Sequence, residues 1–220
     1  MTDSESTGVP QPSQSDDRIT RNYHVAAPTV CMGFHTFDSD RADKLDDVSR
    51  YRWCSGEELL SLLSPAPAES IADLGSGTGF YTDLVAPHAG TVHAVDVQSA
   101  MHERYAEKGV PENVQRVTSP IEDLPFEEGS LDGAFTTMTY HEFSGTDSVS
   151  EIARVLRPGG RLVIVDWSRN GRGEAGPPLS ERHDLGHAVS AFGNAGFAVD
   201  HAVSRTETFV CRVRKVGRRH

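Results

Sequence analysis

The stretch "IADLGSGTGF", residues 71–80, constrains the fold of this chain more than any other part of its sequence. Apolar residues lead into an acid, Asp73, and then into three glycines at alternate positions, Gly75, Gly77 and Gly79. Glycine adopts backbone conformations that other residues avoid, and it allows a ligand to approach the main chain closely. The pattern predicts a β-strand, a bare loop and a helix, the arrangement that holds nucleotide-like ligands in many α/β proteins.

Apolar strand-like runs alternate with helical patterns from residue 71 onward, which is typical of a parallel sheet with helices on both faces. In "DSVSEIARVL" the apolar residues Val149, Ile152, Ala153 and Leu156 share one helix face, and "PGG" is expected to stop that helix. Further along, a second helix of this kind starts at Leu185 and ends at Gly196, and "FAVDHAVS" with "TETFVCRVRKV" then predicts a terminal hairpin. The other strands are expected at 70–74, 92–96, 114–117, 131–137 and 161–166.

The expected fold is therefore Rossmann-like, with seven mostly parallel strands, an antiparallel C-terminal hairpin strand, helices on both faces and an N-terminal helical lid. The lid contains "SGEELLSLLSP", where Ser55 and Glu58 have the spacing of a capping box. The predicted organisation has four parts: a disordered tail at 1–22, a lid segment and helix at 23–67, the ligand-binding domain at 68–214 and a tail at 215–220.

Composition excludes several classes of function. Asp and Glu outnumber Lys and Arg by 32 to 21, a net charge of -11, so a general affinity for nucleic-acid phosphates is not expected. No apolar run approaches the roughly 20 residues that a membrane span requires. The three cysteines lack metal-type spacing, which predicts no metal site and a reducing, cytoplasmic setting. The acidic, lysine-poor surface fits either a salt-loving archaeon or a GC-rich genome.

Asp96 narrows the choice of ligand. It ends the strand "VHAVDV" and lies 21 positions after Gly75, the distance at which an acid accepts hydrogen bonds from ribose hydroxyls. An acid here disfavours a phosphorylated ribose. The alternative interpretation is that Asp96 caps the next helix and that the glycines form an ordinary tight turn.

Phe80 also bears on the ligand, because a dinucleotide-binding loop has a glycine or alanine at the sixth position of its motif. A bulky residue there suits a ligand without a pyrophosphate, although it also suits plain helix packing. The predicted C-terminal hairpin is a second difference from the dinucleotide-binding fold, which ends in a parallel strand.

Four motifs together carry a family resemblance: "IADLGSGTGF", "VHAVDVQSAM", "SPIEDLPF" and "ARVLRPGGRLVIVDW". In this order and spacing they resemble class I S-adenosylmethionine-dependent methyltransferases, in particular the ubiquinone/menaquinone-biosynthesis type, over about residues 45–210. The resemblance implies S-adenosylmethionine as the cofactor, with its methionine end at Asp73 and the glycine loop, and its ribose at Asp96. The implied cofactor-binding residues are Asp73, Gly75, Ser76, Gly77, Gly79, Asp96, Val97, Met101, Pro120, Ile121 and Met138.

One position departs from the family pattern. Relatives often have an acid just before the apolar residue that packs on the adenine, here Ile121, whereas this chain has Ser119 and Pro120. Glu122 or Asp123 is the expected substitute for that contact with the adenine amino group.

Methyl transfer to many acceptors also requires a group that removes a proton. The segment "TTMTYHEF" places His141 and Glu142 after the fourth strand, at the edge of the sheet where a ligand binds, and a histidine suits this role. The alternative is that His141 only orders a loop. His35 in the lid is a further candidate, and Asp166 and Trp167 are expected near the pocket. Tyr51, Tyr81 and Tyr140 are candidates for ring contacts with the sulfonium.

The sequence therefore predicts an enzyme that methylates an O, C, N or S atom of a small molecule. A sensor or partner subunit that binds the cofactor without catalysis is the alternative, and a nicotinamide-dependent oxidoreductase is a weaker one. The acceptor and the oligomeric state are left open.

Overall fold

The structure is a computed structural model, and it describes residues 45–217 of the chain. These residues all lie within one compact unit. The predicted tail at 1–22 and the first part of the predicted lid, including His35, lie outside the described residues.

Seven strands form one sheet in the order β3-β2-β1-β4-β5-β7-β6. Only β7 runs against its neighbours, since it pairs antiparallel with both β5 and β6. The predicted fold class is confirmed, including the hairpin. The strands are β1 (Ser70–Leu74), β2 (Thr91–Asp96), β3 (Val114–Thr118), β4 (Leu131–Thr137), β5 (Leu156–Trp167), β6 (Phe197–Ser204) and β7 (Thr208–Lys215).

Helices cover both faces of the sheet. Successive residues of a strand point to opposite sides, and in this sheet both sides carry apolar residues that must be buried. Ile71 of β1 belongs to one apolar cluster and Ala72 to the other. Among the described helices, not one has both the length and the apolar character needed to cross a bilayer. The helices are α1 (Gly56–Leu63), α2 (Phe80–Val85), α3 (Ser99–Lys108), α4 (Thr146–Val155) and α5 (Leu185–Asn194).

The start of α1 follows half of the predicted capping box. The hydroxyl of Ser55 accepts a hydrogen bond from the amide of Glu58 at 3.2 Å. The carboxylate of Glu58 does not return to the amide of Ser55 but pairs with Arg205, at the start of the β6–β7 turn. The helix is thereby tied to the hairpin.

The start of β5 differs from the prediction. Strand β5 begins at Leu156, which the sequence pattern assigned to the preceding helix, and it runs through the "PGG" segment. Leu156 pairs with Leu131 of β4 at a register shift, and the helix ends one residue earlier, at Val155. The apolar side chain of Leu156 reaches the core whether the residue is helical or extended, so the periodicity of the sequence did not distinguish a helix from a strand at this position.

Candidate functional site

A cavity of about 520 Å³ lies at the carboxyl ends of β1, β2, β4 and β5. Ligands of open α/β sheets bind at this edge, where the strand order reverses between β1 and β4. Segments from both halves of the described chain line it. The lining residues are Leu45, Arg50, Trp53, Gly75, Ser76, Gly77, Asp96, Val97, Gln98, Met101, Ser119, Pro120, Ile121, Glu122, Thr137, Met138, Thr139, His141, Glu142, Phe143, Trp167, Gly176, Pro177 and Glu181.

The glycine loop presents bare main chain to this cavity. Gly75 has a φ of +79°, and a Cβ there would lie 2.4 Å from the Cγ2 atom of Thr139, which follows β4. The amides of Gly75 and Ser76 both donate to the carbonyl of Val95, at 2.9 and 2.8 Å, so the loop is fixed to β2. Only glycine at position 75 permits this close approach between the loop and the end of β4.

Gly79 is close to a helix rather than to the end of β4. It precedes α2 with a φ of +82°, and a Cβ there would lie 2.3 Å from the ring of Tyr105 in α3. It does not line the cavity. Its immediate role is to let α2 and α3 pack closely, and a contact of Gly79 with the cofactor stays a prediction.

Asp96 joins the loop to the end of β2. Its Oδ2 accepts from the amide of Gly77 at 2.8 Å, and its Oδ1 accepts from the amide of Gln98 at 2.9 Å. Burial raises the pKa of Asp96, although these two amide bonds oppose the shift. The carboxylate faces the cavity beside bare main chain, as binding of ribose hydroxyls requires.

Asp73 lies under the same loop and is 1% exposed. The hydroxyl of Thr82 donates to its Oδ2 at 2.6 Å, while its Oδ1 and the Oγ of Ser76 have no partner among the described residues. Burial raises the pKa of Asp73 to about 7, against the effects of Thr82 and Arg50. An unpartnered carboxylate oxygen below a bare loop fits a cationic amino group, so the donors and acceptors here suit the methionine end of S-adenosylmethionine.

Arg50 is a cavity residue that the sequence reasoning missed. It lies in a 3₁₀ turn, Val48–Arg52, and its Nη1 donates to the carbonyl of Leu45 at 2.7 Å. Its guanidinium lies 5.2 Å from the ring centroid of Phe80 and 5.1 Å from that of Tyr81. Phe80 therefore packs against a cation beside the glycine loop, and no local motif marks Arg50 in the sequence.

The residues predicted to surround the adenine are part of the cavity wall. They are Val97, Met101, Pro120 and Ile121. Of the two acids proposed as substitutes next to Ser119–Pro120, Glu122 lines the cavity and Asp123 does not.

Glu122 already has a hydrogen-bond partner, since its Oε1 accepts from the hydroxyl of Ser148 at 2.8 Å.

Met138 also lines the cavity, and its backbone φ of 64° is one that residues other than glycine rarely adopt. Such strained residues occur at binding sites.

His141 forms a pair with Asp166, the last but one residue of β5. The Nδ1 of His141 lies 3.0 Å from Oδ1 of Asp166, which is completely buried, and the His141 amide donates to Oδ2 at 2.7 Å. Because an ionised carboxylate only accepts, Nδ1 carries the proton and Nε2 is left as the basic nitrogen. Burial opposes a charged imidazole, but the charge and hydrogen bond of Asp166 outweigh it and raise the pKa of His141.

Glu142 and Glu181 lie next to this histidine in the cavity wall. Oε1 of Glu142 is 4.0 Å from Nε2 of His141. Burial raises the pKa of Glu142 to about 7, against the effect of His141. Glu181, in the 3₁₀ turn Leu179–Glu181, contributes to the raised pKa of His141 through its charge. Sequence reasoning found Glu142 and missed Glu181, which lies in a loop without a motif.

Two tryptophans form an aromatic wall beside these acids. The ring centroids of Trp53 and Trp167 are 5.1 Å apart, with the planes at 64°. Gly176 packs directly on Trp167, where a Cβ would lie 2.4 Å from the ring, and with Pro177 it completes this side of the cavity. Tyr51, Tyr81 and Tyr140 were candidates for ring contacts with the sulfonium, with plain packing as the alternative, and the structure shows packing. They do not line the cavity, because Tyr81 and Tyr140 are buried in the core and Tyr51 packs on Phe80.

Residues 72–164 match the protein family described as "Methyltransferase domain". A solved structure of a SAM-dependent methyltransferase from Aquifex aeolicus is 29% identical and has a TM-score of 0.73, covering 82% of this chain and 100% of that one. The chain carries a class I S-adenosylmethionine-dependent methyltransferase domain. The cofactor of this domain is S-adenosylmethionine.

Curated relatives of the methyltransferase domain agree with this result. An uncharacterized methyltransferase of Mycobacterium bovis is 31% identical over 139 residues, 58% of this chain and 56% of that protein. The ubiquinone/menaquinone biosynthesis C-methyltransferase of Ectopseudomonas mendocina is 31% identical over 138 residues, 57% of this chain and 50% of that protein. The chain thus spans about half the length of these relatives.

The methyltransferase domain brings most of the predicted site residues to one cavity. Asp73, under the glycine loop, and Gly79, at its end, do not line the cavity, and His35 lies outside the described residues. The individual roles stay predictions. The predicted residues that line the cavity are Gly75, Ser76, Gly77, Asp96, Val97, Met101, Pro120, Ile121, Met138, His141 and Glu142.

Proposed function

We propose that the protein transfers a methyl group from S-adenosylmethionine to a small-molecule acceptor, with His141 as the general base. The observation that carries the proposal is the placement of the His141–Asp166 pair in the same cavity as the glycine loop and Asp96. When bound, the cofactor supplies a methyl group on a positively charged sulfur. The protein's task is to align the acceptor, exclude water and accept a proton.

Different residues would hold different parts of the cofactor. Asp96 would accept from the ribose hydroxyls, and the main chain at 75–77 would contact the amino-acid tail. Asp73, with its unpartnered Oδ1, would balance the ammonium of that tail. Arg50, the single arginine or lysine among the described lining residues, would bind its carboxylate. Val97, Met101 and Ile121 would contact the adenine.

His141 takes the acceptor's proton at Nε2, while Asp166 fixes the ring through Nδ1. The hydrogen bond to Asp166 holds the tautomer and stabilises the charge that the imidazole gains. General-base catalysis of this kind typically contributes about 10²–10⁴-fold in rate.

The wider organisation fits this proposal. We take residues 68–214 as the catalytic domain and residues 45–67, the described part of the predicted lid, as a segment that covers the cavity, because Leu45, Arg50 and Trp53 line it. The net charge of -11 favours a metabolite over a nucleic acid as the acceptor.

Ligand-dependent thermal stability tests the cofactor assignment. S-adenosylmethionine and S-adenosylhomocysteine are expected to raise the unfolding temperature, because a ligand that binds only the folded state stabilises it by mass action. NADH at the same concentration is expected to leave it unchanged. Stabilisation by NADH alone would contradict the assignment.

Transfer of a radiolabelled methyl group into a metabolite extract tests the enzymatic part. His141→Ala is expected to reduce transfer by about a hundredfold while cofactor affinity changes little. His201→Ala, at an exposed histidine of β6, is the matched control and should behave as the unmodified protein. Cofactor binding without transfer in the unmodified protein would favour a non-catalytic sensor instead.

A further inference from the structure

The acceptor side of the cavity carries a concentration of acidic side chains. Glu142 lies 4.0 Å from His141, Glu181 adds its charge to the same histidine, and Asp166 lies directly behind it. The single arginine or lysine among the described lining residues, Arg50, lies over the ring of Phe80 beside the glycine loop. None of these three acids has a role in holding the cofactor under the proposal above.

Aromatic rings form the wall next to these acids. The faces of Trp53 and Trp167 are partly taken by arginines outside the cavity lining, since Arg52 lies 4.5 Å from the Trp53 centroid and Arg182 lies 5.4 Å from that of Trp167. Arg182 is itself neutralised by Glu207, at 3.2 Å. Neither arginine lines the cavity that holds Glu142 and Glu181.

We propose that the acceptor is an amine on an apolar or aromatic body, bound as a cation by Glu142 and Glu181 and methylated on nitrogen. This inference rests on the proposed function and specifies its substrate class. The tryptophans contact the apolar body, and the acids select the ammonium.

The direction of charge movement supports nitrogen over an acidic oxygen or sulfur. When a neutral amine attacks, the positive charge of the sulfonium moves to nitrogen, and carboxylates beside that nitrogen stabilise the charge as it develops. When an oxyanion or thiolate attacks, opposite charges cancel, and nearby carboxylates only make the nucleophile harder to ionise. Glu142 and Glu181 therefore help the first reaction and hinder the second.

The proton and electron balance follows from the same residues. The bound ammonium first gives one proton to Nε2 of His141, which frees the lone pair on nitrogen. The basicity that Asp166 confers on His141 makes this transfer less unfavourable. A carbon–nitrogen bond then forms as the carbon–sulfur bond breaks, with the electron pair left on sulfur. The products are a methylated ammonium, a neutral thioether and an imidazolium that returns its proton to water.

Binding of matched probes tests the inference without requiring turnover. Two sets share an aromatic body and differ in the polar end: phenethylamine, phenylethanol and phenylpropionate, and tryptamine, tryptophol and indolepropionate. Each is titrated by calorimetry into the protein with and without saturating S-adenosylhomocysteine. In at least one set the amine is expected to bind about tenfold more tightly than its alcohol, as one charge-assisted hydrogen bond provides.

Variants identify the groups responsible. Glu142→Gln is expected to remove most of the amine preference and Glu181→Gln, at an exposed residue, a smaller part of it, with alcohol binding unchanged in both. Glu174→Gln is the control, because it removes the same charge from an exposed residue that does not line the cavity. The inference is overturned if alcohols or carboxylates bind as well as the amines, if neither amine binds, or if Glu174→Gln has the same effect as Glu142→Gln.

The two proposals fail in different ways. A protein that does not bind S-adenosylhomocysteine contradicts the proposed function, whatever the amines do. A protein that binds it and transfers methyl groups, but has no amine preference, contradicts only the substrate class.

Discussion

His141 is tied to the carboxylate of Asp166 both through its ring, with Nδ1 3.0 Å from Oδ1, and through its backbone amide, which donates to Oδ2 at 2.7 Å. The two residues are 25 positions apart in the chain, at the ends of neighbouring strands of the sheet. The pair fixes the ring in the cavity and makes it more basic than an ordinary buried histidine. The pH dependence of methyl transfer follows from this relationship.

A base must be unprotonated, so the rate of the unmodified protein should rise with pH through a value above 6.5, the ordinary pKa of histidine. Asp166→Asn keeps an acceptor for the His141 amide but removes the charge, so burial lowers the pKa of His141 against the smaller effects of Glu142 and Glu181. The acid limb of kcat/KM against pH is then expected to move to lower pH, with a rate at pH 8 reduced at least about tenfold. Asp200→Asn, which breaks an exposed ion pair with Arg214, is the control. An unchanged limb in Asp166→Asn would exclude His141 as the titrating base.

Asp73 should make the stability of the ligand-free protein fall as pH rises. Its pKa is raised to about 7, so between the ordinary value of 3.8 and about 7 the folded state binds a proton that the unfolded state has lost. The free energy of unfolding therefore decreases across this interval. Asp73→Asn is expected to flatten the decrease between pH 5 and pH 8 and to weaken binding of S-adenosylhomocysteine. Urea denaturation at several pH values measures the free energy of unfolding. If it falls equally steeply with pH in both proteins, the pKa of Asp73 is not raised.

Gly79 and Gly196 separate steric crowding from backbone strain. Both have positive φ, +82° and +85°, so alanine costs about 1 kcal/mol at either position. A Cβ at 79 also meets the ring of Tyr105 at 2.3 Å, whereas nothing lies within 4 Å of one at 196. Gly79→Ala is therefore expected to lose a further 1–3 kcal/mol, roughly, from overpacking. Thermal unfolding of both variants measures the difference, and equal losses would contradict the close packing of α2 on α3.

Arg50 should distinguish ligands by their amino-acid tails. Arg50→Met removes the charge but keeps an apolar side chain for Phe80 and Tyr81. Affinity for S-adenosylhomocysteine is expected to fall about ten- to hundredfold, because a charge-assisted contact with the carboxylate is lost. Affinity for methylthioadenosine, which lacks that tail, should be unchanged. Equal loss for both ligands would indicate that Arg50 only supports the loop.

The sequence predicted the parts of this molecule that have a local pattern. Strand β4 has the predicted limits, 131–137, because apolar and small residues there are bounded by clear turn signals. Leu156 was misplaced because its apolar side chain satisfies a helix face and a strand equally. The glycine loop and Asp96 were recognisable because they stand at a set spacing in the sequence, and the structure brings them to one cavity.

The rest of the site depends on tertiary packing. Asp166 was expected near the pocket, but its bond to His141 follows only from the pairing of β4 with β5. Arg50 and Glu181 come from irregular segments whose position no periodicity fixes. Tyr81 and Tyr140 follow the glycine loop and β4 closely, yet their rings turn into the core.

Strand β7 separates β6 from the remainder of the sheet, although β6 precedes it in the chain. During vectorial synthesis on the ribosome, β6 therefore has no partner until residues 208–215 have emerged and inserted beside β5. Because β7 pairs along β5 as far as Trp167, the same insertion completes the setting of Asp166. The nascent chain is thus expected to form the final geometry of the His141–Asp166 pair in one late step. Until then β6 is unpaired, and this strand is the segment most exposed to aggregation.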